Sequence, residues 1–273
     1  MGFYIPAFYS MAEKTASLTG ISLEQLLDEY RSVHKEKGTV EYPFATIHLP
    51  SVRKYFRGKT GDEIKDALRP AFTTFNSIRS EQLCLYPGVE ETLRFLSEKG
   101  VHIIGYTDSG ELNGFYRLQI LGISDLFCKI YVSDYEYSLP EHIVRDPRIK
   151  KSEKEKPDPD FLCRIVEAEG LERADVIYMG DSLTRDIYMA HEAGIVSIQC
   201  RYPVSFDESE YYQKLVRISN WTEEDFRRER DLRALCEKQQ IQPDYLIRDY
   251  SEIQEIICNC RGVKRGVKRD GSL

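Results

Sequence analysis

Two aspartates follow an apolar run in the stretch YMGDSLTRDIYMAHEAG, where the chain crosses a turn and enters a predicted helix. Mg²⁺ prefers one or two carboxylates together with waters and phosphate oxygens. Asp181, at the strand end, and Asp186, five residues on, are therefore candidate metal ligands, Asp186 as an outer one. Gly180 would allow close approach to that strand end. An equally good alternative is that Asp186 only stabilises the N-terminus of the helix through its charge, with Ser182 or Thr184 as the capping residue.

A second polar group closes the apolar run VHIIGYT. The hydroxyl of Thr107 and the following amides of Asp108 and Ser109 would face one crevice. A hydroxyl and backbone N–H groups together can bind a phosphate group. Thr107 is thus a candidate catalytic and substrate-binding residue, and Asp108 and Ser109 are candidate substrate-binding residues. The alternative, a Thr-Asp-Ser turn that only closes the strand, stays open at this point.

The third candidate is Lys156, which begins the segment KPDPDF. Pro157 and Pro159 restrict the backbone before the next helix, which would fix the direction of the lysine. A fixed ammonium group can neutralise phosphate charge during transfer, so Lys156 is a candidate catalytic and substrate-binding residue. The alternative is a solvated lysine, because the preceding run KKSEKEK is rich in charge.

The elements that must position these residues alternate between strand and helix from about residue 84 onward. Apolar runs (VHIIGYT, FCKIYVSD, DVIYMGD, IVSIQC and PDYLI) alternate with amphipathic helices. This alternation predicts an α/β fold, a doubly wound, mostly parallel sheet with helices on both faces. Such sheets bind ligands at the carboxyl ends of their strands, where the polar candidates fall.

The chain divides into three predicted regions. Residues 1–83 are helical, as in ISLEQLLDEYRSVHKEKG, with Ser22 at the cap position and Gly38 at the end. Residues 84–260 form the α/β core, interrupted by a long loop at 135–155 and a helical insert at 201–240. Residues 261–273 form a basic, disordered tail.

Composition excludes several functional classes. The net charge of -7 argues against a general nucleic-acid binder, and no apolar run reaches the roughly 18 residues of a membrane span. The N-terminus lacks the pattern of a signal peptide. The seven cysteines show no repeated paired spacing, which is consistent with a reducing cytoplasm.

Thr107, Lys156 and GDSLTRD occur in the order and context of three motifs of one family. Over about Leu83 to Ile257 the chain resembles the haloacid dehalogenase-like (HAD) hydrolase superfamily, matching its second, third and fourth motifs. The helical region before Leu83 resembles the family's cap, which covers the active site and selects the substrate. The resemblance implies a Mg²⁺-dependent phosphatase of a small phosphorylated metabolite, with Asp181 and Asp186 at the metal.

The family's first motif, Asp-x-Asp at the end of a central strand, has no match ahead of the predicted cap. The resemblance implies that its first aspartate forms an aspartyl-phosphate and that its second is the general acid and base. The sequence therefore predicts that the central strand is missing, and a shortened start is favoured over a natural design. Two alternatives are a non-catalytic protein that binds phosphate and Mg²⁺, and a dehalogenase that needs no metal.

Substrate identity and oligomeric state do not follow from the sequence. The cap and its loops choose the substrate in the resembled family. Tyr4, Phe8, Arg53 and Lys54 are candidate contacts, although ordinary packing within the cap is favoured for Tyr4 and Phe8.

Overall fold

The computed structural model describes residues 2–42, 44–135, 146–152, 154–202 and 207–265, with side chains up to residue 259. Contacts divide these residues into two compact units. The helical unit contains the described residues of 1–84, 134–144 and 204–228. The α/β unit contains the described residues of 85–133, 145–203 and 229–273.

Amphipathic helices with defined caps build the helical unit. Its helices are α1 (Tyr4–Thr19), α2 (Leu23–Lys37), α3 (Pro50–Tyr55), α4 (Gly61–Ala67), α5 (Arg69–Gln82) and α10 (Glu208–Ile218). The Ser22 side chain accepts a hydrogen bond from the Gln25 amide at the start of α2, and Gly38 ends that helix with φ 72°. Tyr4, Phe8 and Tyr30 are buried in the core of this unit.

Six strands and the helices between them build the α/β unit. The strands are β1 (Ile104–Gly110), β2 (Lys129–Ser133), β3 (Ile149–Ser152), β4 (Ile177–Gly180), β5 (Val196–Cys200) and β6 (Tyr245–Ile247). The helices are α6 (Val89–Glu98), α7 (Glu111–Ile120), α8 (Pro159–Ala168), α9 (Tyr188–Glu192) and α12 (Glu252–Arg265). Helix α11 (Glu223–Lys238) contributes residues to both units.

The strands form two parallel sheets, in the orders β1-β2-β3 and β4-β5-β6. Helices cover both faces of the first sheet. Phe115 of α7 packs against Ile130 and Val132 on one face, and Phe161 of α8 packs against Tyr131 on the other. This alternation of faces along β2 follows from the two-residue period of a strand. The predicted α/β fold with parallel strands and helices on both faces is confirmed.

Strands β1 and β4 each have one edge that pairs with no other described strand. Both are only half-buried along almost their whole length, whereas β2 and β5 are buried after their first residue. A strand within a parallel sheet is normally buried on both faces and paired on both edges. In the described part of the α/β unit, β1 and β4 are therefore edge strands.

The structure differs from the sequence prediction in three places. The predicted loop at 135–155 contains β3, because the two adjacent lysines of IKKS interrupt the apolar pattern that would indicate a strand. Within that loop, residues 136–145 and 153 lie outside the described residues. The predicted tail begins inside α12, which reaches Arg265, and residues 266–273 lie outside the described ones. Strand β1 begins later and ends later than the run VHIIGYT, so Thr107 lies within it.

No helix in the described residues is long and apolar enough to cross a membrane. The six cysteines with described side chains are free thiols.

Candidate active site

A bulge in β1 presents the first group of site residues. The pairing of β1 with β2 passes from Tyr106 opposite Tyr131 to Gly110 opposite Ser133. The register therefore advances by four residues in β1 and by only two in β2. Residues 107–109 consequently leave the regular pattern of strand pairing. Within this bulge the Thr107 hydroxyl accepts a hydrogen bond from the Ser109 amide at 3.1 Å. The amide of Ser109 is therefore engaged, while the hydroxyl proton of Thr107 remains able to donate.

The Asp108 carboxylate connects three segments of the α/β unit. One of its oxygens accepts a hydrogen bond from the backbone amide of Lys156 at 2.9 Å. Its other oxygen accepts from the guanidinium of Arg185 at 2.8 Å. Asp108 thereby holds the backbone of Lys156 and the turn that contains Arg185 against the bulge of β1.

Lys156 and Asp186 form a buried ion pair. The lysine ammonium lies 2.8 Å from the Asp186 carboxylate, and their side chains are only 14% and 4% exposed. The Tyr178 hydroxyl donates to the same carboxylate oxygen at 3.0 Å. Burial and then the Asp186 charge raise the pKa of Tyr178 well above its usual value, so this hydroxyl stays protonated. Lys156 is thus a fixed cation rather than a solvated one.

A π-helical turn places the Asp186 carboxylate over the end of β4. The turn spans Leu183–Ile187 and is capped by the Ser182 side chain, which accepts from the Arg185 amide. The extra residue of the wider turn lets Asp186 point back, where its second oxygen accepts from the Ser182 amide at 3.1 Å. A Cβ atom on Gly180 would lie 2.3 Å from the Asp186 carboxyl carbon, so only glycine fits there.

The two candidate metal ligands differ in availability. Asp181 is exposed, and its carboxylate makes no hydrogen bond with the described residues. Asp186, by contrast, has protein donors on both oxygens. The described residues contain no group of three His, Cys, Asp or Glu side chains arranged to hold a metal ion. One open carboxylate and one engaged carboxylate nevertheless fit Mg²⁺, which takes few protein ligands and keeps several waters.

The predicted residues Thr107, Asp108 and Lys156 are linked with Asp186 through direct hydrogen bonds or adjacent positions in the bulge. Sequence reasoning missed Arg185 and Tyr178. Arg185 lies within GDSLTRD, and its position before Asp186 was the only available signal. Tyr178 was not predicted because an aromatic residue within an apolar run is typical of a buried core position.

The segments that form this site lie within a stretch that matches one known protein family. A profile of haloacid dehalogenase-like hydrolases matches residues 13–194, about two thirds of the chain. The chain belongs to the haloacid dehalogenase-like hydrolases.

Curated relatives of this haloacid dehalogenase-like hydrolase include phosphatases. A glyceraldehyde 3-phosphate phosphatase of Methanopyrus kandleri is 25% identical over 67% of this chain and 69% of its own length. A phosphoglycolate phosphatase of Haemophilus influenzae is 30% identical over 56% of this chain and 60% of its own length. The matches thus cover about two thirds of each relative at most.

The fold likeness extends over most of this haloacid dehalogenase-like hydrolase. A 2-haloacid dehalogenase from Pseudomonas syringae superposes with a TM-score of 0.54 at 18% identity, covering 94% of this chain and 91% of that one. At this identity the similarity concerns the fold alone.

Proposed function

We propose that the protein is a Mg²⁺-dependent phosphatase that acts on a small phosphorylated metabolite. The observation that carries this proposal is the Lys156–Asp186 ion pair, 2.8 Å long and nearly buried, next to the open carboxylate of Asp181. A cation and a free carboxylate at the carboxyl ends of parallel strands suit a ligand that is an anion accompanied by a metal ion.

Two residues of this chain would bind the phosphate group. The Lys156 ammonium would neutralise charge on its oxygens, since the lysine is already fixed by Asp186 and by the Asp108 contact to its backbone. The Thr107 hydroxyl would donate to another oxygen, because its own lone pair is used by the Ser109 amide. Both groups are in place before a ligand arrives, which reduces the reorganisation that binding requires.

Asp181 would hold Mg²⁺ directly, and Asp186 would act on it through a bound water. When bound, Mg²⁺ would supply positive charge at the phosphate oxygens. Gly180 and the turn at Leu183–Ile187 keep the two carboxylates on the same strand end.

We further propose that a strand bearing a nucleophilic aspartate lies between β1 and β4 in the complete protein. The unpaired, half-buried edges of these two strands support this arrangement. Attack of that aspartate on phosphorus would break the P–O bond to the substrate alcohol, which leaves, and give an aspartyl-phosphate. Water would then hydrolyse this intermediate to inorganic phosphate and the free aspartate.

The names of the relatives suggest the size of the substrate. They are phosphatases of glyceraldehyde 3-phosphate and of phosphoglycolate, which are both small phosphorylated metabolites. We propose a substrate of this class.

Phosphate release tests the proposed activity. Native protein from its own cells should release phosphate from an aryl phosphate only when Mg²⁺ is present. An Asp181→Asn variant of that full-length protein should lose at least about tenfold in kcat/KM. Asp160→Asn is a matched control, because Asp160 lies in the first turn of α8 and holds no proposed ligand. Metal-independent release, or an unchanged Asp181→Asn enzyme, would refute the proposal.

A second candidate is a protein that binds phosphate and Mg²⁺ without turnover. This candidate is favoured because no described strand pairs with the open edge of β1 or of β4, so the described strands supply no nucleophilic aspartate there. Native protein with the mass of residues 1–273, saturable phosphate binding and no phosphate release would establish this candidate.

A further inference from the structure

A set of polar side chains lies on the face of the first sheet that α8 covers. Tyr106 and Tyr131 pair across β1 and β2, and the rings of both contact Phe161 of α8. Ser133 lies two residues after Tyr131 and therefore shares its face. Ser152 of β3 pairs with Ser133 and lies on that face too. Three neighbouring strands thus each place a hydroxyl group on the face that α8 covers.

Three polar atoms in this region are buried and have no hydrogen-bond partner among the described residues. They are the Tyr106 hydroxyl, Ser133 Oγ and Asp158 Oδ2. Ser133 is 4% exposed and Asp158 is 7% exposed. The neighbouring Ser152 hydroxyl, by contrast, donates to the Lys154 carbonyl at 2.7 Å. Buried polar atoms are almost always satisfied, so three in one region point to a shared partner.

These atoms lie beside the segment that carries Lys156. Asp158 is two residues after Lys156, and its Oδ1 accepts from the Phe161 amide at the start of α8. The Lys156 ammonium lies 5.5 Å from the centre of the Tyr106 ring.

We propose that Tyr106, Ser133 and Asp158 are positioning residues for Lys156, and that their three unpaired atoms share one internal water molecule. Such a water would accept from the Tyr106 hydroxyl and donate to Asp158 Oδ2 and Ser133 Oγ. Three partners are typical for an internal water. The water would tie the segment from Lys156 to Pro159 to the ends of β1 and β2. The role in catalysis rests on the proposed function, whereas the effect on Lys156 does not.

Labelling of the lysine amines measures this effect without a substrate. Reductive methylation of the chain, read by mass spectrometry, gives the rate for each lysine. We expect Tyr106→Phe and Ser133→Ala each to raise the Lys156 rate about threefold or more relative to exposed lysines, because one network hydrogen bond is lost. Tyr131→Phe is the matched control, since its hydroxyl lies 3.5 Å from Glu169 instead. That variant should leave the Lys156 rate unchanged.

The outcomes distinguish the positioning of Lys156 by these three residues from the proposed phosphatase function. Unchanged Lys156 labelling in Tyr106→Phe and Ser133→Ala would overturn the positioning role. A crystal structure of the unaltered chain should show one ordered water within hydrogen-bond distance of all three atoms, and solvent contacting only one of them would overturn the shared water. Titration with inorganic phosphate and Mg²⁺ is the separate readout. Absence of phosphate binding by the unaltered chain, with Lys156 labelling altered as expected, would refute the proposed function and leave the network standing.

Discussion

Lys156 and Asp186 form an ion pair of 2.8 Å although thirty residues separate them in the chain. Both side chains are nearly buried, so loss of one would leave the other without its ion-pair partner in a nearly buried position. The pair joins the segment before α8 to the turn after β4. It therefore fixes the geometry of the candidate site and contributes to the stability of the α/β unit.

Removal of one member should be costly. Asp186→Ala leaves the Lys156 ammonium buried without its carboxylate, and we expect the free energy of unfolding to fall by about 3–5 kcal/mol. Urea unfolding followed by circular dichroism measures this change. Glu90→Ala is the control, because the Glu90–Arg94 pair in α6 is half-exposed and should change stability by less than about 1 kcal/mol. Equal effects of the two substitutions would show that the buried pair contributes little.

Gly180 should tolerate no side chain. The added methyl of Gly180→Ala would overlap the Asp186 carboxyl group at 2.3 Å, so the turn must shift and Asp186 must leave Lys156. We expect weaker phosphate binding in a Mg²⁺-containing titration and a lower urea midpoint. Gly105→Ala is the control in β1, where the methyl would make ordinary contacts at 3.5 Å. An unchanged Gly180→Ala protein would contradict the described approach.

Arg185 should act on the site through Asp108. Arg185→Ala removes the 2.8 Å partner of one Asp108 oxygen and leaves the contact of the other oxygen with Lys156. We expect phosphate affinity to fall by a factor of about 3 to 10, which is less than the loss of a direct charge-assisted hydrogen bond because Arg185 acts only through Asp108. Arg164→Ala is the control, since that arginine packs on the Phe161 ring of α8. An equal loss in both variants would indicate a general charge effect rather than the Asp108 contact.

The helical unit should lose stability in acid through His34. Burial lowers the pKa of His34 to about 4 from 6.5, and the Ile218 carbonyl only partly opposes this shift. Because the folded pKa is the lower one, the contribution is complete above pH 6.5 and is lost as pH falls towards 4. The shift corresponds to at most roughly 3 kcal/mol.

Urea midpoints at pH 7.5 and pH 4.5 measure the His34 effect. The difference between the two midpoints should shrink in His34→Gln. It should persist in His191→Gln, since the His191 side chain is about half-exposed. A pH dependence that His34→Gln leaves intact would assign the acid sensitivity to other groups.

Many elements of the fold could be predicted because their signals are local. The strand that ends at Gly180 and the helix that Gly38 ends follow from apolar period and cap residues. Strand β3 could not be predicted, since IKKS has two lysines and gains its pairing only from β2. An edge strand can have charged side chains and still pair with its neighbouring strand through backbone hydrogen bonds. The sequence of the strand alone does not show which strand it will pair with.

The sequence predicted several residues of the candidate site but not the hydrogen bonds that join them. Thr107 was predicted because it ends an apolar run, and Lys156 and Asp186 were predicted because they lie before a helix and after a strand end, in the order of the family's motifs. The bridge from Asp108 to Arg185 spans 77 residues and depends on a bulge that shifts the register of β1. No local pattern specifies such a contact, because it arises only when the strands and turns have packed.

Calorimetric titration of this chain with inorganic phosphate tests the central claim most directly, because it requires no nucleophile. We predict saturable binding in the presence of Mg²⁺, much weaker binding without it, and loss of binding in Lys156→Met. Circular dichroism and urea unfolding would verify that the variant is folded. Absence of binding by the folded, unaltered chain, or binding that is equal with and without Mg²⁺, would contradict a phosphate and metal site at Thr107, Lys156 and Asp181.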